Sequence, residues 1–251
     1  DEERIDTLDF ELEVKDVVMP SPCRQKFHLD LWQHLSNIAR KHEVPLWSEE
    51  HFRVVENYVK SLAELGQRAV TAVVSEIPWS GQSCFHVSNY PSDLFEYNMV
   101  RVIKNEKGCY IYDYTALERY VELCFKHGID KEIEVFGLIN IWVQPDDGYG
   151  SLTDEFPDAI RIRYYDEAGK CFRYMRAAAD IEEYIKSLER FFTEKGWIDK
   201  VRVVADEPGD VELYSTRLDN IKRIAPSFQY KTAINHAEFV REFRNAIQDF
   251  V

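Results

Sequence analysis

The chain has 251 residues, of which 31 are Lys or Arg and 45 are Asp or Glu, giving a formal net charge of −14. That charge argues against nucleic acid as a partner, because phosphate binding needs a basic surface, and no apolar run approaches the ~18 residues of a membrane-spanning helix. The five cysteines are widely spaced and contain no Cys-x-x-Cys pair, so neither a disulfide framework nor a structural zinc site is expected.

The first 24 residues predict the end of one domain and a linker. Phe10–Val18 alternates apolar and charged residues, which is typical of a strand with one buried face. A lone strand needs a sheet that this stretch does not supply. We therefore interpret residues 1–24 as the terminal strand of a preceding β-domain, followed by a linker that contains Pro20 and Pro22.

From residue 25 onward, predicted strands alternate with predicted helices. The predicted strands are Phe27–Trp32, Ala69–Glu76, Ile133–Trp142, Lys200–Asp206 and Phe228–Asn235. The predicted helices are Ser48–Gly66, Ala116–His127, Asp180–Lys195, Val211–Ile224 and Ala237–Phe250. A small hairpin is expected near residues 100–112, and a second hairpin insertion near residues 143–178.

This alternation predicts an α/β fold with a parallel sheet and right-handed crossovers. Five units fit either a doubly wound open sheet or most of a (β/α)8 barrel. The turn after the first strand holds Asp30–His34 instead of a glycine-rich phosphate loop, which favours the barrel. We expect residues 25–251 to form a TIM-like barrel that is incomplete in this chain, with about three further strands outside it.

In such a barrel, the carboxyl ends of the strands share one rim, and that rim carries the chemistry. Indole rings stack on sugar faces while polar groups hold hydroxyls, so a mixture of both indicates a carbohydrate site. Each residue alone could serve packing or a loop cap, and the inference depends on their coincidence at the strand ends. The predicted rim residues are Asp30, Trp32, His34, Glu76, Trp79, Asn140, Trp142, Asp206, Glu207, Asn235 and His236.

A metal-dependent barrel hydrolase is the competing interpretation of this rim. Four histidines lie near the first unit, at positions 28, 34, 42 and 51. Metal ligation from a strand favours a His-x-His pair, and His34 has no such partner. We therefore expect neither a catalytic metal nor a cofactor.

Several blocks resemble the catalytic domain of glycoside hydrolase family 123, the β-N-acetylgalactosaminidase family. The resemblance covers roughly residues 10–236. It implies a barrel preceded by a β-sandwich, and retaining hydrolysis of a β-linked N-acetylhexosamine glycan in which the 2-acetamido oxygen is the nucleophile. Asp206 would orient the acetamido group, and Glu207 would be the general acid and base. The blocks are Leu29–His34, Pro45–His51, Pro78-Trp79, Tyr112–Tyr114 with the following helix, Gly196-Trp197 and Val204–Pro208.

Substrate assistance suits two acids that are adjacent in the chain. Successive side chains of a strand point to opposite sides, so neighbours seldom flank one bond as two-carboxylate mechanisms require. With the substrate supplying the nucleophile, only Glu207 has to reach the leaving oxygen. A catalytically silent carbohydrate-binding protein on the same scaffold is the second hypothesis, since binding alone needs no acid.

Overall fold

The computed structural model describes residues 8–79, 96–141 and 160–251. Two short 3-10 turns, Pro22–Arg24 and Ile198–Lys200, accompany the following helices and strands. In chain order these are α1 Leu35–Lys41, α2 Glu49–Leu65, β1 Ala69–Val73, β2 Arg101–Lys104, β3 Tyr110–Asp113, α3 Thr115–Lys126, β4 Glu132–Phe136, β5 Arg163–Asp166, β6 Cys171–Tyr174, α4 Ala178–Glu194, β7 Val201–Asp206, α5 Val211–Ile224, β8 Gln229–Ala233, α6 Ala237–Phe243 and β9 Asp249–Phe250.

A five-stranded parallel sheet forms the body of the structure, in the order β1-β4-β7-β8-β9. The predicted parallel order of the strands is thus confirmed. The first predicted strand, Phe27–Trp32, is wrong as a regular strand, because it forms only an isolated parallel bridge, between Leu29 and Gln67, just before β1. Side chains accept the hydrogen bonds that backbone carbonyls would accept in a regular strand. Gln67 Oε1 accepts from the Leu31 N–H at 2.9 Å, and Thr71 Oγ1 accepts from the Gln33 N–H at 3.0 Å.

The helices follow the predicted pattern except at the two ends of the domain. Ser48 caps α2 by accepting from the His51 N–H at 3.1 Å, and Gly66 ends it in the left-handed conformation. The short helix α1 was not predicted. The helix predicted to reach Phe250 is wrong in length, because α6 stops at Phe243 and the chain turns into β9. No helix within the described ranges is long and apolar enough to cross a bilayer.

The two predicted hairpins combine into a second sheet. Strands β2 and β5 pair in parallel and join the hairpins in the order β3-β2-β5-β6. One face of this sheet packs on α4, where the Tyr110 hydroxyl donates to Asp180 at 3.0 Å and the ring of Tyr112 meets Tyr184 edge to face. Sequence periodicity places each hairpin, but it carries no information about their pairing.

Residues 8–20, which precede the parallel sheet in the chain, form no strand. Residues 8–20 lie in extended or irregular backbone, and Phe10, Leu12 and Val14 are 83%, 76% and 84% exposed. The alternating pattern predicted a strand here, and that prediction is wrong in this structure. The physical reason is that no described strand lies beside these residues, so their backbone groups face solvent. The structure therefore gives no support to a β-sandwich strand.

The large sheet is strongly curled. Lys231 on β8 reaches Asp30 at 2.7 Å, Glu134 at 2.6 Å and Glu132 at 2.9 Å. The segment that contains Asp30 lies beside the start of β1, so β1, β4 and β7 stand between it and β8. In a flat sheet with ordinary strand spacing, that segment and β8 would be roughly 19 Å apart. The ion pair can form only if this face is concave. The opposite face packs on helices, as shown by the 2.6 Å contact between the hydroxyls of Tyr214 on α5 and Thr232 on β8.

The ion cluster is sealed from solvent. Lys231 and Asp30 are each 3% exposed at the side chain, and Glu134 is 0% exposed. Burial works to lower the pKa of Lys231, but the carboxylates of Glu134 and Asp30 outweigh it and raise that pKa. Burial, with the nearby Asp30 carboxylate, holds the pKa of Glu134 well above its usual range. One buried cation therefore faces three acids, and the raised pKa of Glu134 limits the negative charge that this cation has to balance.

Replacing the cation of this cluster should lower the stability of the protein. We expect Lys231→Met to lower the free energy of unfolding by about 3–5 kcal/mol, because it strands buried acids without a counter-charge. The double variant Lys231→Met with Glu134→Leu should lose less than the single variant. Urea denaturation measures both, with Lys186→Met on the exposed side of α4 as control. A loss no larger than that of the control would contradict a sealed cluster.

Candidate active site

The carboxyl edge of the large sheet has an unusual backbone. Ile77 follows β1 at φ 44°, Gly137 follows β4 at φ 108° and Glu207 follows β7 at φ 48°. A Cβ on Gly137 would lie 2.2 Å from Ser75 Oγ, so only glycine fits there. Positive φ at a β-branched or charged residue costs about 1–3 kcal/mol and concentrates at functional sites. Two such residues, Ile77 and Glu207, mark this edge as the candidate active site.

Asp206 and Glu207 occupy different surroundings at this edge. Asp206 ends β7 and is 8% exposed, whereas Glu207 is half-buried. The Glu207 N–H donates to the Ala233 carbonyl at 3.0 Å, which holds the left-handed residue against β8. Since Glu207 is left-handed and not extended, the alternation of side chains along a strand does not describe this pair. Asp206 lines a narrow pocket with Pro78, Trp79, Phe136, Gly137, Ile139, Asn140, Ile141 and Val204.

An aromatic cluster forms one wall beside this pocket. Ring centroids of Trp32 and Trp79 lie 4.9 Å and 5.0 Å from that of Phe136, and the two indoles are 6.3 Å apart. The imidazole of His34 meets Trp79 edge to face at 4.9 Å. Trp79 is 4% exposed and supports the wall, while Trp32 and His34 are partly exposed. The structure thus brings together Trp32, His34, Trp79 and Asp206 as predicted from the strand ends.

Asn140 belongs to the same pocket and is held in place from two sides. Its Nδ2 donates to the Gly137 carbonyl at 3.0 Å, and its own carbonyl accepts from the Arg217 guanidinium. Arg217 is 8% exposed on α5 and was missed by sequence reasoning. The signal was available, because position 217 falls on the buried stripe formed by Tyr214, Leu218 and Ile221. A charged residue on an apolar stripe indicates a specific buried partner.

Two glutamates near the candidate active site are buried. Glu76 is 4% exposed, and burial raises its pKa to about 7 despite Arg163 Nε at 3.3 Å. Glu96, which sequence reasoning missed, is 1% exposed, and burial raises its pKa to about 7 as well. Its oxygens accept from the N–H groups of Ser36 at 3.0 Å and Asn37 at 3.3 Å, at the start of α1. Between about pH 4.5 and pH 7, these two acids are therefore more protonated than a surface glutamate.

His34 connects Glu96 to the aromatic wall. Its Nδ1 lies 3.8 Å from Glu96 Oε1, and burial lowers its pKa below the ordinary value. At this distance the imidazole and the carboxyl form a charge contact and no hydrogen bond, so both ring nitrogens of a largely neutral His34 can serve a ligand. No signal in the sequence links Glu96 to His34, because 62 positions of chain separate them.

The remaining predicted site residues lie elsewhere. Asp30 sits in the Lys231 ion cluster, inside the curled sheet. His236 is exposed at the start of α6, where its Nδ1 is 3.8 Å from Glu238, and Asn235 beside it is exposed. Trp142 lies outside the described residues. Across the described ranges, no three His, Cys, Asp or Glu side chains group as a metal site does.

The buried glutamates should make stability depend on pH. A folded pKa of about 7 against an ordinary 4.5 means that the free energy of unfolding falls as pH rises from 4.5 to 7, by up to about 3 kcal/mol for Glu96. We expect Glu96→Gln to lose less stability than wild type between pH 5 and pH 8 in urea denaturation. Glu106→Gln, on the exposed β2–β3 turn, is the matched control. If the free energy of unfolding changed with pH by the same amount in Glu96→Gln and in wild type, the raised pKa of Glu96 would be contradicted.

Comparison with known proteins places this chain in a family. Residues 32–251 match the family model described as the catalytic domain of glycoside hydrolase 123. No curated protein matches. A solved family 123 glycoside hydrolase from Clostridium perfringens, analysed for glycolipid glycan hydrolysis, is similar in fold with a TM-score of 0.70 and 22% identity. The likeness covers 94% of this chain and 40% of that chain. Because the family model matches most of its length, this chain belongs to glycoside hydrolase family 123.

Proposed function

We propose that this chain carries the catalytic pair of a retaining exo-β-N-acetylhexosaminidase that acts on β-linked N-acetylgalactosamine. The observation that carries the proposal is the adjacent Asp206-Glu207 pair at the end of β7, with left-handed backbone at Glu207. Membership of glycoside hydrolase family 123 supports hydrolysis of a glycan. The aromatic wall of Trp32 and Trp79 supports a sugar as the ligand.

The proposed first step forms an oxazolinium ion from the substrate itself. The 2-acetamido carbonyl oxygen attacks C1, the bond from C1 to the glycosidic oxygen breaks, and the Glu207 proton passes to the departing oxygen. Asp206 accepts a hydrogen bond from the acetamido N–H and stabilises the positive charge that develops on the ring. In the second step water attacks C1, its proton passes to Glu207, and the acetamido group is restored with retained configuration.

The geometry of the pair favours this division of roles. Asp206 is almost buried, in a pocket with Asn140 and Trp79, which suits a group that positions the substrate and stays within the site. Glu207 is half-buried, which suits a group that meets leaving oxygens and water. The left-handed backbone of Glu207 gives the two side chains a relation other than the opposed one of a regular strand. Trp32 and His34, both partly exposed, are the proposed contacts to the sugar ring.

We also propose that the curled sheet is part of a closed (β/α)8 barrel. The support is the pairing of Lys231 with Asp30 across three intervening strands, which requires barrel-like curvature. Residues 1–24 are proposed to link this barrel to a preceding β-domain, because Phe10, Leu12 and Val14 expose apolar side chains that a partner surface would cover.

The first functional prediction separates the general acid from the nucleophile. Glu207→Gln should slow hydrolysis of an alkyl β-N-acetylgalactosaminide by ~10²–10⁴-fold, the usual contribution of a general acid. An activated aryl glycoside needs little protonation to depart, so its hydrolysis should fall far less. Steady-state rates on both substrates test this, with Glu212→Gln in the first turn of α5 as the matched control. Equal losses on both substrates would remove Glu207 from the acid role.

The second functional prediction concerns the substrate's own nucleophile. An aryl glycoside with a 2-hydroxyl in place of the acetamido group should be inert, and Asp206→Asn should slow alkyl and aryl acetamido substrates alike. Rapid cleavage of the 2-hydroxyl substrate, with a trapped glycosyl ester on an acid, would show ordinary two-carboxylate retention instead. Binding of N-acetylgalactosamine without any hydrolysis would indicate a carbohydrate-binding protein.

A further inference from the structure

A second concave surface lies between the small sheet and the first turn of α4. This groove has a volume of about 410 Å³ and shares no residue with the Asp206 pocket. Strands β2, β3, β5 and β6 all contribute to it. It is lined by Lys104, Tyr110, Tyr164, Arg173, Tyr174, Arg176, Ala177 and Asp180.

Three cations meet in this groove. Lys104 and Arg176 form no ion pair within residues 8–79, 96–141 and 160–251. Arg173 is 55% exposed and pairs with Asp166 at 2.9 Å, on the same face of the small sheet. The protein as a whole carries a net charge of −14, whereas this lining holds three cations and one carboxylate, Asp180. An excess of cations in a concave surface attracts anions.

Tyrosines form the floor under these cations. The Lys104 ammonium lies 4.9 Å from the ring centroid of Tyr110 and 5.9 Å from that of Tyr164. The two rings meet edge to face at 5.2 Å, and the Tyr110 hydroxyl is fixed on Asp180 at 3.0 Å. Asp180 is the one carboxylate in the lining, and this hydrogen bond engages it. The floor is therefore rigid, aromatic and bordered by positive charge.

We propose that this groove binds an acidic saccharide, a sugar that carries a carboxylate or a sulfate. Guanidinium and ammonium groups hold such anions through charge-assisted hydrogen bonds, and tyrosines contact pyranose rings through ring faces and hydroxyls. The volume falls within the ~300–1,000 Å³ of small-molecule sites. The choice of a sugar over other organic anions rests partly on the proposed function. An extended nucleic acid is disfavoured, because it would meet the acidic surface beyond the groove.

Direct binding to the whole chain tests the proposal without using catalysis. Calorimetric titrations would use 3′-sialyllactose for the carboxylate, 3′-sulfolactose for the sulfate, and lactose and inorganic sulfate as references. At least one acidic oligosaccharide should bind at least tenfold more tightly than both references, and the tighter of the two identifies the anion. Lys104→Gln and Arg176→Gln, on separate elements, should each weaken that binding about tenfold. Lys107→Gln on the β2–β3 turn, outside the lining, should leave it unchanged.

The other outcomes would each overturn the proposal. Equal binding of lactose would remove the role of charge, and binding of inorganic sulfate as tight as that of 3′-sulfolactose would remove the role of the sugar. Unchanged affinity in both glutamine variants would place the ligand elsewhere, and preferential binding of an RNA oligonucleotide would assign another class of partner. Hydrolysis of an aryl β-N-acetylgalactosaminide should persist in both variants. Absence of hydrolysis in wild type with intact saccharide binding would contradict the proposed function alone.

Discussion

The buried contact between Lys231 and the acids Asp30 and Glu134 is the constraint on which the shape of the domain depends. It joins β8 to the segment before β1 across three strands, so the sheet must curl around it. Curling brings the carboxyl ends of β1, β4 and β7 toward one another. Without that convergence, Trp79, Asn140 and Asp206 would stand along a line and could not share a pocket.

The candidate active site combines this convergence with local strain and buried acids. Left-handed backbone at Ile77 and Glu207 costs folding free energy that the packed sheet supplies, which is how strained functional geometry persists. Burial raises the pKa of Glu76 and of Glu96 to about 7. The carboxyl edge therefore combines strained backbone with carboxyl groups of raised pKa, and perturbed pKa values of this kind cluster at functional sites.

The two concave surfaces differ in their titratable side chains. The carboxyl edge of the large sheet holds acids at positions 76, 96, 206 and 207, whereas the groove beside α4 holds Lys104, Arg173 and Arg176 together with Asp180. They belong to different sheets, and the small sheet exists only because β2 pairs with β5. Pairing between distant segments therefore builds a second concave surface that the large sheet alone does not contain.

The sequence by itself determined most of the elements and their order, because hydrophobic periodicity, the Ser48 cap and the Gly66 stop act within a few residues. It also placed Trp32, Trp79, Asn140 and Asp206 at strand ends, and parallel topology then puts strand ends on one edge. Only the tertiary structure decided that Asp30 is an internal ion-pair partner, that Glu96 lies beside His34, and that two hairpins form one sheet. Those outcomes depend on curvature and on pairing between distant segments, and no local pattern encodes the distance between residues 30 and 231.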